Sequence, residues 1–286
     1  MIDLHTHSTA SDGTDSPAQV MKAAAAAGLA VVALTDHDTT SGWDEAAHAA
    51  AEAGIALVRG MEISARALVG ERHVSVHILS YLHDPAHAGL RVELDRTREA
   101  RETRAEKMVE LLAEDYPITW DDVLAQTEPG TTIGRPHLAD ALVAAGVVTD
   151  RDEAFATMLH PGTRYYVRHY APEALEVVRL VRDAGGVPVF AHPGADGRGR
   201  IVPDATIAEL AGAGLAGLEV DHRDHDEDAR RRLAGLAAEH GLLVTGSSDY
   251  HGRGKVNLIG ECTTTPESLA EIERQGTLPV LRGARS

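Results

Sequence analysis

Seven short strand-like runs punctuate this chain, and each carries or is soon followed by a histidine or an acidic residue. They are Ile2–Leu4, Leu29–Leu34, Ile55–Val58, His73–Tyr81, Val187–Ala191, Leu215–Val220 and Leu242–Thr245. Helix-forming stretches separate most of them, which predicts an α/β protein built on a parallel sheet or barrel. In such a barrel the C-terminal strand ends surround one mouth, where sites form. The residues His5, His7, Asp12, His37, Glu62, His77, His192, Asp249 and His251 fall at these places, so the pattern brings them together. A random scatter of histidines and acids would not favour strand ends so consistently. The end of the sixth run, Asp221-His222, is read as a non-ligand.

The segment Met1–Gly13 illustrates the logic. Side chains alternate along a strand, so Ile2 and Leu4 face one side while Asp3, His5 and His7 face the other. Two imidazoles then converge at the strand's end, with Asp12 following in a loop closed by Gly13. That donor set suits a divalent ion of the Zn, Mn or Fe type. A polar edge strand running into a turn explains one His-x-His equally well, so the later strand ends decide the matter. Ser16 as N-cap, Pro17 as first helical residue and Gly28 just past the end mark the first helix. A second helix spans roughly Trp43–Ala53 and is closed by Gly54.

The rhythm breaks between residues 84 and 170, where no core strand is legible. Leu90–Glu114 reads as one long charged helix, Trp120–Gln126 as a short one capped by Thr119, and Pro136–Ala145 and Asp150–Leu159 as two more. This stretch is expected to be a helical cap (84–170) inserted into a barrel formed by 1–83 and 171–286. Seven β-then-α units are counted, with the cap after the fourth. The acids of the long helix roughly balance its bases, which favours a solvated face over a nucleic-acid arm.

Composition narrows the partners. A chain of 286 residues with net charge −17 is a poor candidate for binding long duplex nucleic acid, although metals and a few arginines can reverse the field locally for a small anion. No apolar run is long enough to span a membrane and no leader peptide is legible. The one cysteine, Cys262, rules out an internal disulfide and fits a reducing cytoplasm. Sixteen histidines are many for this length and point again to metals. No obligate protein partner is evident.

The motifs Asp3-Leu-His-Thr-His7, Thr35-Asp-His-Asp38, Gly60-Met-Glu62, His77, Ala191-His-Pro193 and Ser248-Asp-Tyr-His251 resemble the polymerase and histidinol phosphatase (PHP) superfamily of metal-dependent phosphoesterases. The resemblance implies a distorted seven-stranded (β/α) barrel holding two or three divalent ions, commonly Mn²⁺, with Fe, Zn or Mg as alternatives. It further implies one ion held by His5, His7, Glu62 and Asp249. Glu62 would bridge to another at His77 and His192, and Asp12, His37 and His251 would hold the remaining one. Gly134-Arg-Pro-His137 is similar to the subgroup acting on nucleoside 3′,5′-bisphosphates and the 5′ ends of short RNA. A phosphatase of another metabolite, such as histidinol phosphate, and a non-catalytic module that supports a polymerase are the competing readings.

Clustered divalent ions neutralise phosphoryl oxygens and supply hydroxide near neutral pH, so no Ser or Cys nucleophile is required. Asp36 and Asp38 serve either as groups that orient the ligands or as plain turn caps. Arg135 is the first candidate for a phosphate contact, because guanidinium offers a bidentate fork; pairing with a cap carboxylate is the alternative. His137 can assist it, and Arg164 and Arg168 are secondary candidates. His222 is a candidate proton donor to the leaving oxygen, or else a buried structural histidine.

Overall fold

The apolar runs assemble into one seven-stranded sheet whose spatial order follows the sequence. The computed structural model describes residues 1–198 and 200–283. The strands are β1 (Ile2–Asp3), β2 (Val31–Leu34), β3 (Ala56–Val69), β4 (Arg72–Tyr81), β5 (Val187–Phe190), β6 (Gly217–Asp221) and β7 (Leu243–Gly246). Beyond β7 the chain returns to β1: His7 N–H donates to the Tyr250 carbonyl at 2.8 Å and Thr264 N–H to that of Ile2 at 2.9 Å. The sheet is therefore a nearly closed, distorted barrel, and no helix among the described residues is long and apolar enough to cross a membrane.

Helices cover the barrel where the punctuation predicts them. In α1 (Pro17–Ala26), Ser16 accepts the Gln19 N–H while the Gln19 side chain accepts that of Ser16, a reciprocal cap. The next helix, α2 (Trp43–Ala53), stops at Gly54, whose φ of 70° suits a residue without a side chain. Outer helices α7 (Ala174–Asp183), α8 (Asp204–Gly212), α9 (Glu227–His240) and α10 (Pro266–Gln275) follow in order.

One expectation is corrected here. The third and fourth strands do not form separate β-then-α units; they are the arms of a long hairpin turned at Gly70, with no helix between them. Both the β3–β4 and the β4–β5 pairings are antiparallel. Alternation drives the extension: Met61, Ile63, Ala65 and Ala67 face Val74, Val76 and Ile78 and bury against Val177, Val178 and Val181 of α7. The opposite face of the same hairpin carries Glu62, Ser64 and His77, with Ser64 directly across from His77. Because β4 runs backwards, His77 reaches the mouth from mid-strand and not from a C-terminal end.

Residues 84–170 contain α3 (Ala88–Leu112), α4 (Trp120–Leu124), α5 (Arg135–Ala144) and α6 (Arg151–Ala154). Phe155–Leu159 widens into a π turn, so the helix expected over Asp150–Leu159 is two pieces. These helices pack around a core of their own that includes Met108, Leu112, Val123, Leu138, Leu142 and Leu159. Leu142 is fully buried in it. Leu142→Ala is expected to destabilise the protein by about 2–5 kcal/mol, read from the shift of a urea unfolding curve.

Candidate metal centre

Several unusual backbone positions shape the mouth. Gly13 packs so tightly on the His7 carbonyl that a Cβ would lie 2.5 Å from the oxygen, so the loop after β1 requires glycine there. Asp38, His192 and Asp249 adopt positive φ values of 53°, 32° and 53°, a conformation disfavoured for residues with a side chain. Such strain persists where surrounding structure over-determines it and clusters at functional sites. The Asp3 carboxylate accepts N–H groups from His5, Ser248 and Gly260, tying the exits of β1 and β7 together.

All nine donors expected from the strand ends lie at this mouth. In the first group, His5 Nε2 and His7 Nε2 stand 3.0 Å apart. Glu62 Oε2 is 3.2 Å and 3.0 Å from them, and Asp249 Oδ1 is 3.4 Å and 3.5 Å away. Two donors about 2.1 Å from one ion and about 90–110° apart stand about 3.0–3.4 Å from each other. The observed spacings match that figure. Around the other Glu62 oxygen, Oε1, lie His77 Nδ1 at 2.8 Å and His192 Nε2 at 3.0 Å. In the third group Asp12 faces His251 Nε2 at 3.2 Å and His37 Nε2 at 3.8 Å. His37 also turns Nδ1 to Glu62 at 3.3 Å, so its ring stands between two groups.

Hydrogen bonding fixes which nitrogens are free. His5 Nδ1 lies 3.1 Å from the Glu219 carboxylate, and His251 Nδ1 lies 2.8 Å from the Asp249 carbonyl. Each contact holds the proton on Nδ1 and turns the Nε2 lone pair inward, the arrangement usual for a metal-ligating histidine. His37 Nδ1, His77 Nδ1 and His251 Nε2 are buried without a hydrogen-bond partner despite their near carboxylates. Inward lone pairs, carboxylates at coordination spacing and partnerless buried nitrogens fit divalent ions.

The electrostatics show a cluster rich in negative charge: against their burial, neighbouring carboxylates raise the His5 and His7 pKa values, that of His7 to about 9. Burial raises the Glu62 pKa, but His77, His5 and His37 override it and hold the carboxyl well below its usual range. Asp12 is likewise kept ionised against its burial by His251 and His37. Burial, Lys255 and His7 push His251 down to about 4, so its ring is neutral and able to ligate.

One buried group escaped sequence reasoning. Glu219, in mid-β6, accepts hydrogen bonds from the Ser247 hydroxyl and the His192 N–H besides contacting His5. A lone carboxylate inside Leu215–Val220 was its only signal. Asp36 gathers the Ser8 N–H and the Ser8 and Ser11 hydroxyls, and Asp38 gathers the Ser64 N–H and hydroxyl together with Arg101. Both acids therefore organise the ligand-bearing loops. Lys255 donates to Asp249 Oδ2 at 2.9 Å, and His222 Nε2 lies 3.7 Å from the same oxygen. Cys262 is buried, and desolvation pushes its thiol up to about 12, which leaves it inert.

The expected phosphate contacts fare differently. His137 accepts the Gly134 N–H at Nδ1 and donates from Nε2 to the Ser11 carbonyl at 2.8 Å. With both nitrogens engaged, it has no donor left for a phosphate, and its place is corrected to a brace under the Asp12 loop. Three neighbours join it: the Thr131 hydroxyl donates to the Thr9 carbonyl, Thr132 N–H to Ala10 and Arg151 to Asp12. Arg164 is removed from the mouth; it is exposed and paired with Glu114 and Asp115. Arg135 is mostly buried between the Phe155 and Tyr166 rings and donates to the Leu159 carbonyl, with no ion pair to a cap carboxylate among the described residues. Arg168 sits on the bank of a cleft along α3, described below.

Comparison with known proteins agrees with this site. Residues 3–120 match the PHP domain. The chain is 36% identical over 285 residues, 99% of each chain, to a 3′,5′-nucleoside bisphosphate phosphatase of Chromobacterium violaceum. It is 33% identical to a 5′-3′ exoribonuclease of Haemophilus influenzae, over 87% of this chain and 89% of that one. It is 32% identical to a phosphoribosyl 1,2-cyclic phosphate 1,2-diphosphodiesterase of Eggerthella lenta, over 90% and 97%. A crystal structure from Bifidobacterium adolescentis, of a protein inferred to be a metal-dependent phosphoesterase, superposes with a TM-score of 0.93 at 46% identity over 96% of each chain. A barrel with this mouth is that of a metal-dependent phosphoric ester hydrolase. The chain belongs to the PHP-domain family.

Removing a partner that orients a ligand typically costs about 10–100-fold in metal affinity. Glu219→Ala is therefore expected to raise the Mn²⁺ concentration for half-occupancy by about that factor, measured by titration calorimetry on the chelator-stripped protein.

Proposed function

We propose that the protein hydrolyses phosphate esters of nucleotides, releasing phosphate from a nucleoside 3′,5′-bisphosphate or trimming short RNA from its 5′ end. The observation that carries this reading is a group of guanidiniums beside the metal centre. Arg101, Arg104 and Arg135 lie within each other's fields, and Arg101 reaches the loop of His37 through its 3.1 Å contact with Asp38. Arg104 and Arg135 have no carboxylate within 4.0 Å among the described residues. Buried cations without counter-ions, in a chain of net charge −17, suit a substrate that brings a second phosphate. Relatives named for nucleotide and RNA substrates support the same choice over histidinol phosphate.

In this reading, His5, His7, Glu62 and Asp249 hold one ion, Glu62, His77 and His192 a second, and Asp12, His37 and His251 a third, with Mn²⁺ the expected metal. The ions would neutralise the phosphoryl oxygens and supply hydroxide. Arg135 holds the phosphate that is not attacked and so fixes the distance to the scissile bond. His222 accepts the Asp224 N–H at Nδ1, which places its own proton on Nε2, facing the site, ready for the leaving oxygen.

Chelation with excess EDTA is expected to abolish phosphate release and added Mn²⁺ to restore it; full activity in EDTA rejects the mechanism. Arg135→Ala should lower kcat/KM for adenosine 3′,5′-bisphosphate by about tenfold or more, with a smaller loss on a simple monoester, as expected for a charge-assisted contact of about 1.5–3 kcal/mol. Equal losses on both substrates remove Arg135 from substrate recognition. Asp12→Ala should lower the bound metal count by one while the His5–His7 site stays filled, read by metal analysis of the purified variant.

A further inference from the structure

One face of α3 is basic although the helix as a whole is balanced. Arg96, Arg104 and Lys107 recur at helical spacing along it, facing Arg168, His169 and Tyr170 on the irregular segment before α7. Between these banks runs a cleft of about 450 Å³. Glu99 is its one acidic lining residue. Lys107 and Arg168 are exposed, and among the described residues neither lies within 4.0 Å of a carboxylate. At the floor, Arg104 is 6% exposed, its Nε has no hydrogen-bond partner, and an Nη stands 3.4 Å from His169 Nδ1. An interior guanidinium left in that state calls for an anion. Near the rim the exposed Arg96 lays its guanidinium 3.7 Å over the Tyr170 ring, with the Arg66 guanidinium 5.9 Å from the same ring.

The inner end of the cleft adjoins the metal centre. About one turn before Arg104 on α3, Arg101 donates to the Ser64 hydroxyl at 2.6 Å, and Ser64 stands directly across the hairpin from His77.

We propose that this cleft binds the nucleotides that follow the 5′-terminal one in a short single-stranded oligonucleotide, with Arg104, Lys107 and Arg168 on successive backbone phosphates and the Arg96–Tyr170 stack as a platform for a base. Basic grooves with aromatic or guanidinium platforms are the general solution for single strands, because every base has a stacking face and every linkage a charge. The assignment rests on the nucleotide reading above and deepens its short-RNA arm by giving the downstream nucleotides a place on α3.

The experiment compares adenosine 3′,5′-bisphosphate with a 5′-phosphorylated hexaribonucleotide on the Mn²⁺-loaded wild type and on Lys107→Glu and Lys107→Gln. For the hexamer, Lys107→Glu should lower kcat/KM about tenfold, and Lys107→Gln should reduce the salt slope of binding by about 0.7, the value for one lost phosphate contact on a single strand. Bisphosphate turnover should stay within about twofold, since its phosphates lie at Arg135 and the metals. Parallel losses on both substrates, or no loss on either, overturn the cleft assignment. If the wild type turns over the bisphosphate but neither cleaves nor binds the hexamer, the cleft assignment fails and the nucleotide reading stands. If neither substrate is turned over, the nucleotide reading fails, and anisotropy of a 3′-labelled hexamer decides the cleft alone: equal affinity of wild type and Lys107→Glu overturns it.

Discussion

A single buried carboxylate governs this structure. Glu62 is 1% exposed, yet its two oxygens lie 2.8–3.3 Å from nitrogens of His5, His7, His37, His77 and His192. Five imidazoles cannot share one carboxylate through hydrogen bonds alone, since its lone pairs are too few and the geometry at several contacts is wrong. Cations between the rings and the carboxylate would resolve that conflict. The hairpin that carries Glu62 and His77 on one face, and a packed apolar face on the other, is what allows both groups to be held rigidly.

Much of this was legible in the sequence because it depends on local chemistry. Ser16 and Gly54 bound their helices as their cap preferences dictate, and the donors found at the mouth are those that follow the apolar runs. The long hairpin was not legible as such. Ile55–Val58 is a continuous apolar run and reads as a whole strand, whereas the next residues alternate around Gly60 and Arg66 and give a weaker signal. The orientation of β4 followed from that error, since a strand-end rule assumes parallel neighbours.

Long-range partners were the least legible. The pairing of Glu219 with His5 spans 214 positions, and nothing local distinguishes that glutamate from a solvated one. His137 illustrates the opposite failure: a short motif drew attention to it, but its two hydrogen bonds turn it toward backbone. Gly134 precedes it because a Cβ there would stand 2.9 Å from an Arg101 nitrogen. The motif thus records how α5 is seated beside Arg101 as much as what it binds. The basic face of α3 was hidden because total charge along a helix says nothing about how that charge is divided between its faces.

The four consecutive carbonyls from Thr9 to Asp12 are each held by a group from residues 131–151. A hinged lid would have to break all four at every opening and would drag the Asp12 ligand with it. The helical segment is therefore keyed to the Asp12 loop along its backbone. Any exchange of this segment for another, by evolution or by design, has to reproduce that backbone seam before it can alter what the enzyme recognises.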